Sequence, residues 1–315
     1  MSVRAHLPAR ERVAVIGVPT SAGAFAPGQE EAPAALRRAG LIEKLRAAGV
    51  DVADHGDAER WRWRPDPSRP RAQNIGAVRE IALDTARRVA SAAEAGELAL
   101  VIGGDCTIEL GTVLGCSRGT RVGLIYFDLH PDLNIPEESL PGALDWMGSA
   151  HMLGVDGAVP ELARIGGATP LLRDDEIVFF SYGPSQARPF ELRVIEQREL
   201  TAIPRDQVDA DPEAAAEQVL REFAPRFDRI LIHFDVDVID FTDAPLSENP
   251  GRNEGLPFER ALRALRVLVG SDRLGALTVT EVNPLHGAED GSTIEGLATA
   301  LADCFAGRPR SDATA

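Results

Sequence analysis

Short apolar runs rich in Val, Ile and Leu recur along the chain, separated by longer stretches in which apolar residues return every three or four positions. The runs predict strands at 13–18, 50–53, 98–104, 122–128, 176–183, 200–203, 230–237 and 276–283. Helical patterns fall between them, at 34–49, 75–96, 212–224, 257–269 and 293–307. Most of the runs are apolar throughout rather than alternating, which suits strands covered on both faces. Strand–helix alternation then predicts a mostly parallel sheet in an α/β fold. No linker divides the pattern, so one domain is expected over residues 11–306, with loose tails at 1–10 and 307–315.

Polar residues interrupt this pattern at the same place each time. Gly103-Gly104-Asp105-Cys106, Asp128-Leu-His130-Pro-Asp132, Asp235-Val-Asp237 and Glu281-Val-Asn-Pro each lie at the C-terminal end of an apolar run. In open α/β sheets that edge is where ligands bind. Residues two apart on an extended segment point to one side, so Asp128, His130 and Asp132 can converge, as can Asp235 and Asp237. Carboxylates gathered that closely repel unless a cation neutralises them. Several Asp oxygens with one or two N or S donors suit Mn, Zn, Fe or Co. There are enough ligands for two ions sharing bridging carboxylates, the arrangement that makes a nucleophilic hydroxide at neutral pH.

Composition narrows the partners. Of 315 residues, 44% are hydrophobic and 26% charged, and the formal charge is −16. That excess of negative charge argues against nucleic acid and anionic membranes and suits a small cationic ligand. No run approaches the roughly 18 apolar residues of a membrane span, and MSVRAHLPARER has no signal-peptide core. Cys106, Cys116 and Cys304 form an odd set without paired spacing, as expected of a cytoplasmic protein.

With these motifs in hand, the chain resembles the arginase/agmatinase (ureohydrolase) family over nearly its whole length. The resemblance rests on GGDC at 103–106, D-x-H-x-D at 128–132, D-x-D at 235–237, EVNP at 281–284 and an arginase-like stretch at 16–57. It implies a three-layer α/β/α fold with an eight-stranded parallel sheet, a binuclear manganese centre and a homotrimer or homohexamer. By position, Asp128 and Asp235 match the carboxylates that bridge both ions. Asp132 matches a ligand of the first ion, and His130 and Asp237 match ligands of the second. Glu281 matches the glutamate that holds the guanidinium, and Asn134 an asparagine at the amino-acid end of the substrate. The implied reaction is attack of hydroxide on the guanidinium carbon, with Asp128 passing a proton to the departing amine.

Three departures bear on the substrate. Cys106 stands where the family usually has a metal-binding histidine, as in the Nω-hydroxyarginine hydrolases. A thiolate there would add negative charge, lower the Lewis acidity of its ion and admit Fe, Co or Zn beside Mn. Hydroxyarginine, whose hydroxyguanidine is less basic, is therefore favoured over arginine. Secondly, the histidine that shuttles protons in arginases is absent after Asn134; Asp145 or Met147 falls there, and His151 or His286 is the expected substitute. Thirdly, SYGPSQARPFE at 181–191 replaces the segment that reads the substrate amino group, leaving Arg188 or Glu191 to reach the ligand. Agmatine, guanidinobutyrate and modified or peptidyl arginine stay open as substrates, and a non-catalytic arginine or metal binder is the alternative from another class.

Overall fold

A computed structural model of the chain describes residues 12–167 and 169–308. The expected tails, apart from residues 307 and 308, lie outside the described residues. Eight strands, β1 (Val13–Val18), β2 (Val52–Asp57), β3 (Leu98–Gly103), β4 (Val122–Phe127), β5 (Ile177–Tyr182), β6 (Thr201–Pro204), β7 (Arg229–Asp235) and β8 (Leu274–Thr280), form one sheet. Their order is β2-β1-β3-β8-β7-β4-β5-β6, and every neighbouring pair is parallel.

Helices cover both faces, giving three layers. One face packs against Ala32–Arg38, Leu41–Ala47, Pro212–Phe223, Phe258–Val269 and Ser292–Ala306. The other packs against Ile75–Glu94, Glu109–Cys116, Gly148–Leu153 and Pro189–Gln197. Strand residues alternate between the two cores: Phe127 and Phe234 join the first, Tyr126 and Leu231 the second. Both faces are apolar, which is why the central strands read as unbroken hydrophobic runs. The edge strands β2 and β6 are the exceptions; beyond Val52, β2 carries Asp54, His55 and Asp57, and polar side chains on an edge oppose pairing with a further strand.

The helices Gly148–Leu153, Pro189–Gln197 and Arg205–Ala210 were not expected from the sequence, and two further differences have a clear physical reason. The pattern at 34–49 is broken at Gly40, whose φ of 80° ends one helix and starts the next. Glu109–Cys116 was not expected as a helix, since two glycines in eight residues lower its intrinsic propensity. Those glycines are its packing surface. A Cβ at Gly111 would lie 2.4 Å from the Ala82 carbonyl oxygen, and one at Gly115 2.8 Å from that of Ala86. The helix thus rides directly on the backbone of Ile75–Glu94. No helix among the described residues is long and apolar enough to cross a membrane.

The strand order sets the site. The chain leaves β3, crosses over to build β4, β5 and β6, and returns to insert β7 and β8 in the gap. The four strands whose ends carry the polar motifs are thereby adjacent, as β3-β8-β7-β4 in mid-sheet. With neighbouring strands about 4.8 Å apart, four strand ends bring their side chains within reach of one small cavity.

Candidate metal centre and active-site cavity

After β3 the backbone turns so tightly that a Cβ on Gly104 would sit 1.8 Å from the Thr20 carbonyl oxygen. Asp105 is a strut for this turn: its carboxylate accepts from the N–H groups of Gly23 (2.9 Å) and Thr107 (3.1 Å). Cys106 follows, buried, with its thiol donating to Asp235 Oδ2 at 2.9 Å. Burial first, then the charges of Asp235 and Glu281, push that thiol well above its ordinary range.

At the ends of β4 and β7 each leading aspartate folds back on its own segment. Asp128 accepts from the His130 N–H at 2.6 Å, and Asp235 from the Asp237 N–H at 2.7 Å. His130 Nδ1 lies 2.7 Å from Asp237 Oδ2. Burial opposes the imidazole's charge, but Asp237 outweighs it and raises His130 to about 10. Burial likewise opposes ionisation of Asp237, yet His130 holds it below its usual value. Asp128 is raised to about 6 by burial and then by the Asp237 charge, and Asp235 well above the carboxylate range for the same two reasons.

These groups form two donor clusters sharing Asp128. One is Cys106, Asp128, His233 and Asp235; the other is Asp128, His130 and Asp237. Within each, one ligand atom per residue lies within 4.8 Å of the others. Asp128 Oδ2 and Asp237 Oδ1 are buried oxygens without a hydrogen-bond partner. Two carboxylates about 4 Å apart repel by about 4 kcal/mol at an effective dielectric near 20. Orphaned anionic oxygens at such a point are the signature of a site built for cations, and the residues present fit divalent metals. Asp132 is the exception. It lines the cavity in a left-handed backbone conformation (φ 49°), but belongs to neither cluster, and its Oδ2 accepts from the Tyr126 hydroxyl at 2.6 Å.

The cavity above the clusters has a volume of about 220 Å³. Glu281 forms part of its wall, also with a left-handed backbone (φ 61°), a conformation non-glycine residues hold only where surrounding structure enforces it. Its two carboxylate oxygens accept from Gln29 Nε2 and the Cys106 N–H, both at 3.0 Å. Burial and then the Asp105 charge raise Glu281 to about 8. Asp145 faces the same space, pushed well above its usual range by burial and then by Glu281. Asn134 lines the wall with its buried Oδ1 unpartnered. Arg188 also lines the cavity, its guanidinium over the Trp146 ring at 5.4 Å. Glu191, though present, is spent locally: its carboxylate accepts from the N–H groups of Leu133 and Arg188, both at 2.9 Å.

His151, expected as a proton carrier, is not among the cavity-lining residues. It lies on Gly148–Leu153, fully buried, with both ring nitrogens unpartnered. Adjacency in sequence misled here, because the helix turns this residue into the core. His286 is also outside the lining, with Nδ1 2.8 Å from the Ser247 carbonyl oxygen.

Burial depresses His151 from 6.5 to about 3. The unfolded chain therefore binds a proton near pH 6.5 that the folded chain refuses. The contribution to stability is complete above that pH and is lost as pH falls towards 3. From pH 6.5 to 5 this group alone should cost about 2 kcal/mol. His151→Leu should remove that part of the acid dependence, so the urea midpoints of variant and wild type should diverge in the variant's favour between pH 7.5 and 5. Parallel curves would contradict the assignment.

Sequence reasoning also gave no site role to Gln29, Glu109, Tyr126 or His233, nor to the cavity-lining Phe25, Trp146, Gln186, Glu248 and Asn249. The signal for His233 was its spacing, two residues before Asp235 and so on the same face of β7.

A parallel sheet with two donor clusters at its C-terminal edge defines a candidate metal site. Comparison with known proteins specifies the family. The model of the arginase family matches residues 11–307. Arginase from Bacillus caldovelox is 30% identical over 280 residues, 87% of this chain and 91% of that protein. Human arginase-1 is 28% identical, covering 92% of this chain and 90% of that one. The solved structure of the Bacillus caldovelox arginase superposes with a TM-score of 0.84 at 27% identity, over 94% of this chain and 98% of that one. Formimidoylglutamase from Bacillus subtilis shares the fold at a TM-score of 0.70 and 18% identity. The chain belongs to the arginase family, enzymes that hydrolyse C–N bonds of linear amidines.

Proposed function

We propose that this protein hydrolyses the guanidino C–N bond of arginine or a close derivative, with Nω-hydroxyarginine favoured, giving ornithine and urea or hydroxyurea. The observation that carries the reading is the pair of donor clusters sharing Asp128 and facing the same cavity as Glu281. Two divalent ions, manganese or, through Cys106, iron, cobalt or zinc, would be held by Cys106, Asp128, Asp235, His130 and Asp237. When bound they supply a water acidic enough to attack at neutral pH.

The chain's own residues do the rest. Glu281, pinned by Gln29 and the Cys106 N–H, presents a fixed carboxylate to the planar guanidinium, so the carbon to be attacked is set against the clusters before reaction. Asp128 carries the water's proton to the departing amine. Asp145 shares the cavity wall with Glu281. Arg188 and Asn134 supply positive charge and an amide for the α-carboxylate and α-amino group. That favours an amino acid over agmatine, which has no carboxylate. The homotrimer or homohexamer of the sequence reading belongs to this proposal as well.

Cys106→His tests the substrate preference. Restoring a neutral imidazole should raise manganese affinity and shift kcat/KM from hydroxyarginine towards arginine by about tenfold or more, as expected for a changed ligand. Metal content and selectivity both unchanged would remove Cys106 from the ligand set.

A further inference from the structure

We infer that His233, on β7, supplies the imidazole of the first metal site, joining the Cys106 thiolate there and taking the place of Asp132 in the set. This rests on the two-metal reading above. Residues 233 and 235 share one face of β7, so the His233 ring projects beside Asp235 and towards Asp128. Its ligand atom lies within 4.8 Å of those of Cys106, Asp128 and Asp235. Metal–ligand distances of about 2.0–2.3 Å place donors across one ion up to about 4.5 Å apart, so small side-chain movements close this set onto a single ion.

Orientation supports the role. His233 Nδ1 lies 3.4 Å from Glu109 Oε2, a carboxylate that is itself buried. Nε2 points the other way, 3.6 Å from the orphaned Asp128 Oδ2 and 3.4 Å from Thr280 Oγ1. A metal-bound histidine characteristically donates its second N–H to a carboxylate, which fixes the tautomer and leaves the other nitrogen's lone pair for the ion. Glu109 stands where that carboxylate is needed. Tyr126 completes the arrangement. Its ring stacks on His233 at 4.0 Å and 5°, and its hydroxyl holds Asp132 Oδ2 away from the cluster.

Charge is conserved by the exchange. A set of one histidine and three aspartates has three anionic ligands and one neutral. Cys106, Asp128, Asp235 and His233 also provide three anionic ligands, once the thiol is deprotonated, and one neutral. The site exchanges a hard oxygen for a soft sulfur at constant charge, which favours zinc, iron or cobalt at this position.

The full-length protein, stripped and reloaded with Co²⁺, tests this. Wild type should bind two ions and show a strongly shifted, slowly exchanging imidazole N–H proton resonance, protected by buried Glu109. That resonance should persist in His130→Ala and vanish in His233→Gln, which should bind one ion and lose at least 100-fold in affinity for the other. If His233→Gln keeps both ions at wild-type affinity, or wild type lacks the resonance while binding two ions, His233 is a structural partner of Glu109 only. Wild type that binds no ion would instead overturn the two-metal reading itself, and this inference with it. The comparison of wild type with His130→Ala decides the matter even if His233→Gln does not fold.

Discussion

Asp128→Ala is expected to abolish turnover, by about 10³-fold or more, and to lose metal from both clusters at once. Asp128 is the one residue common to the two. Its removal should break the shared site rather than weaken one half of it, so the water that bound ions would activate for attack is lost with them. The fold should survive. Without metal, Asp128 is a buried carboxylate among like charges, raised to about 6 by burial and Asp237, so deleting it relieves repulsion in the metal-free protein. Thermal unfolding separates the two effects. Wild type should gain about 2.7 kcal/mol of stability per bound ion at metal concentrations 100 times Kd, and the variant should gain nothing while melting no lower than metal-free wild type. A variant that keeps both ions and its activity would refute the shared-carboxylate assignment.

Glu281→Gln is the second large effect, and it should be of a different kind. The neutral isostere keeps the size of the side chain and can still accept from the Cys106 N–H, but it offers no full charge to a cationic guanidinium. Loss of a buried, charge-assisted contact costs about 2–5 kcal/mol, so kcat/KM should fall by about 10²–10³-fold while metal content stays at the wild-type value. Metal lost in parallel with activity would show that Glu281 shapes the metal site and not the substrate.

The fold and much of the candidate site were legible in the sequence for a common reason. Central parallel strands must be apolar on both faces, so the point where each run ends in Asp, Glu or Cys is visible as a break in pattern, as at Phe127-Asp128 and Phe234-Asp235. What could not be read was which strand ends adjoin. That depends on β7 and β8 returning between β3 and β4, a long-range pairing with no local signature.

Residues inside the apolar runs were illegible for the converse reason. Tyr126 and His233 pass for ordinary strand residues, and only the register that sets them side by side shows their stacking and their reach to Asp132 and Asp128. Glu109 sits in a helix whose glycines disguise it. His151 shows the opposite error, a residue type suited to chemistry that the helix Gly148–Leu153 turns into the core.

An amidinohydrolase with a two-ion centre should gain its activity as chelator-stripped protein is titrated with Mn²⁺, Fe²⁺, Co²⁺ or Zn²⁺. Release of urea or hydroxyurea from arginine, Nω-hydroxyarginine, agmatine and guanidinobutyrate is followed against bound metal. No release is expected from the stripped protein, and activity should rise to a plateau at two ions per chain, with hydroxyarginine turned over fastest. Full activity in the stripped protein, or none with any ion on any of these compounds, would contradict this function.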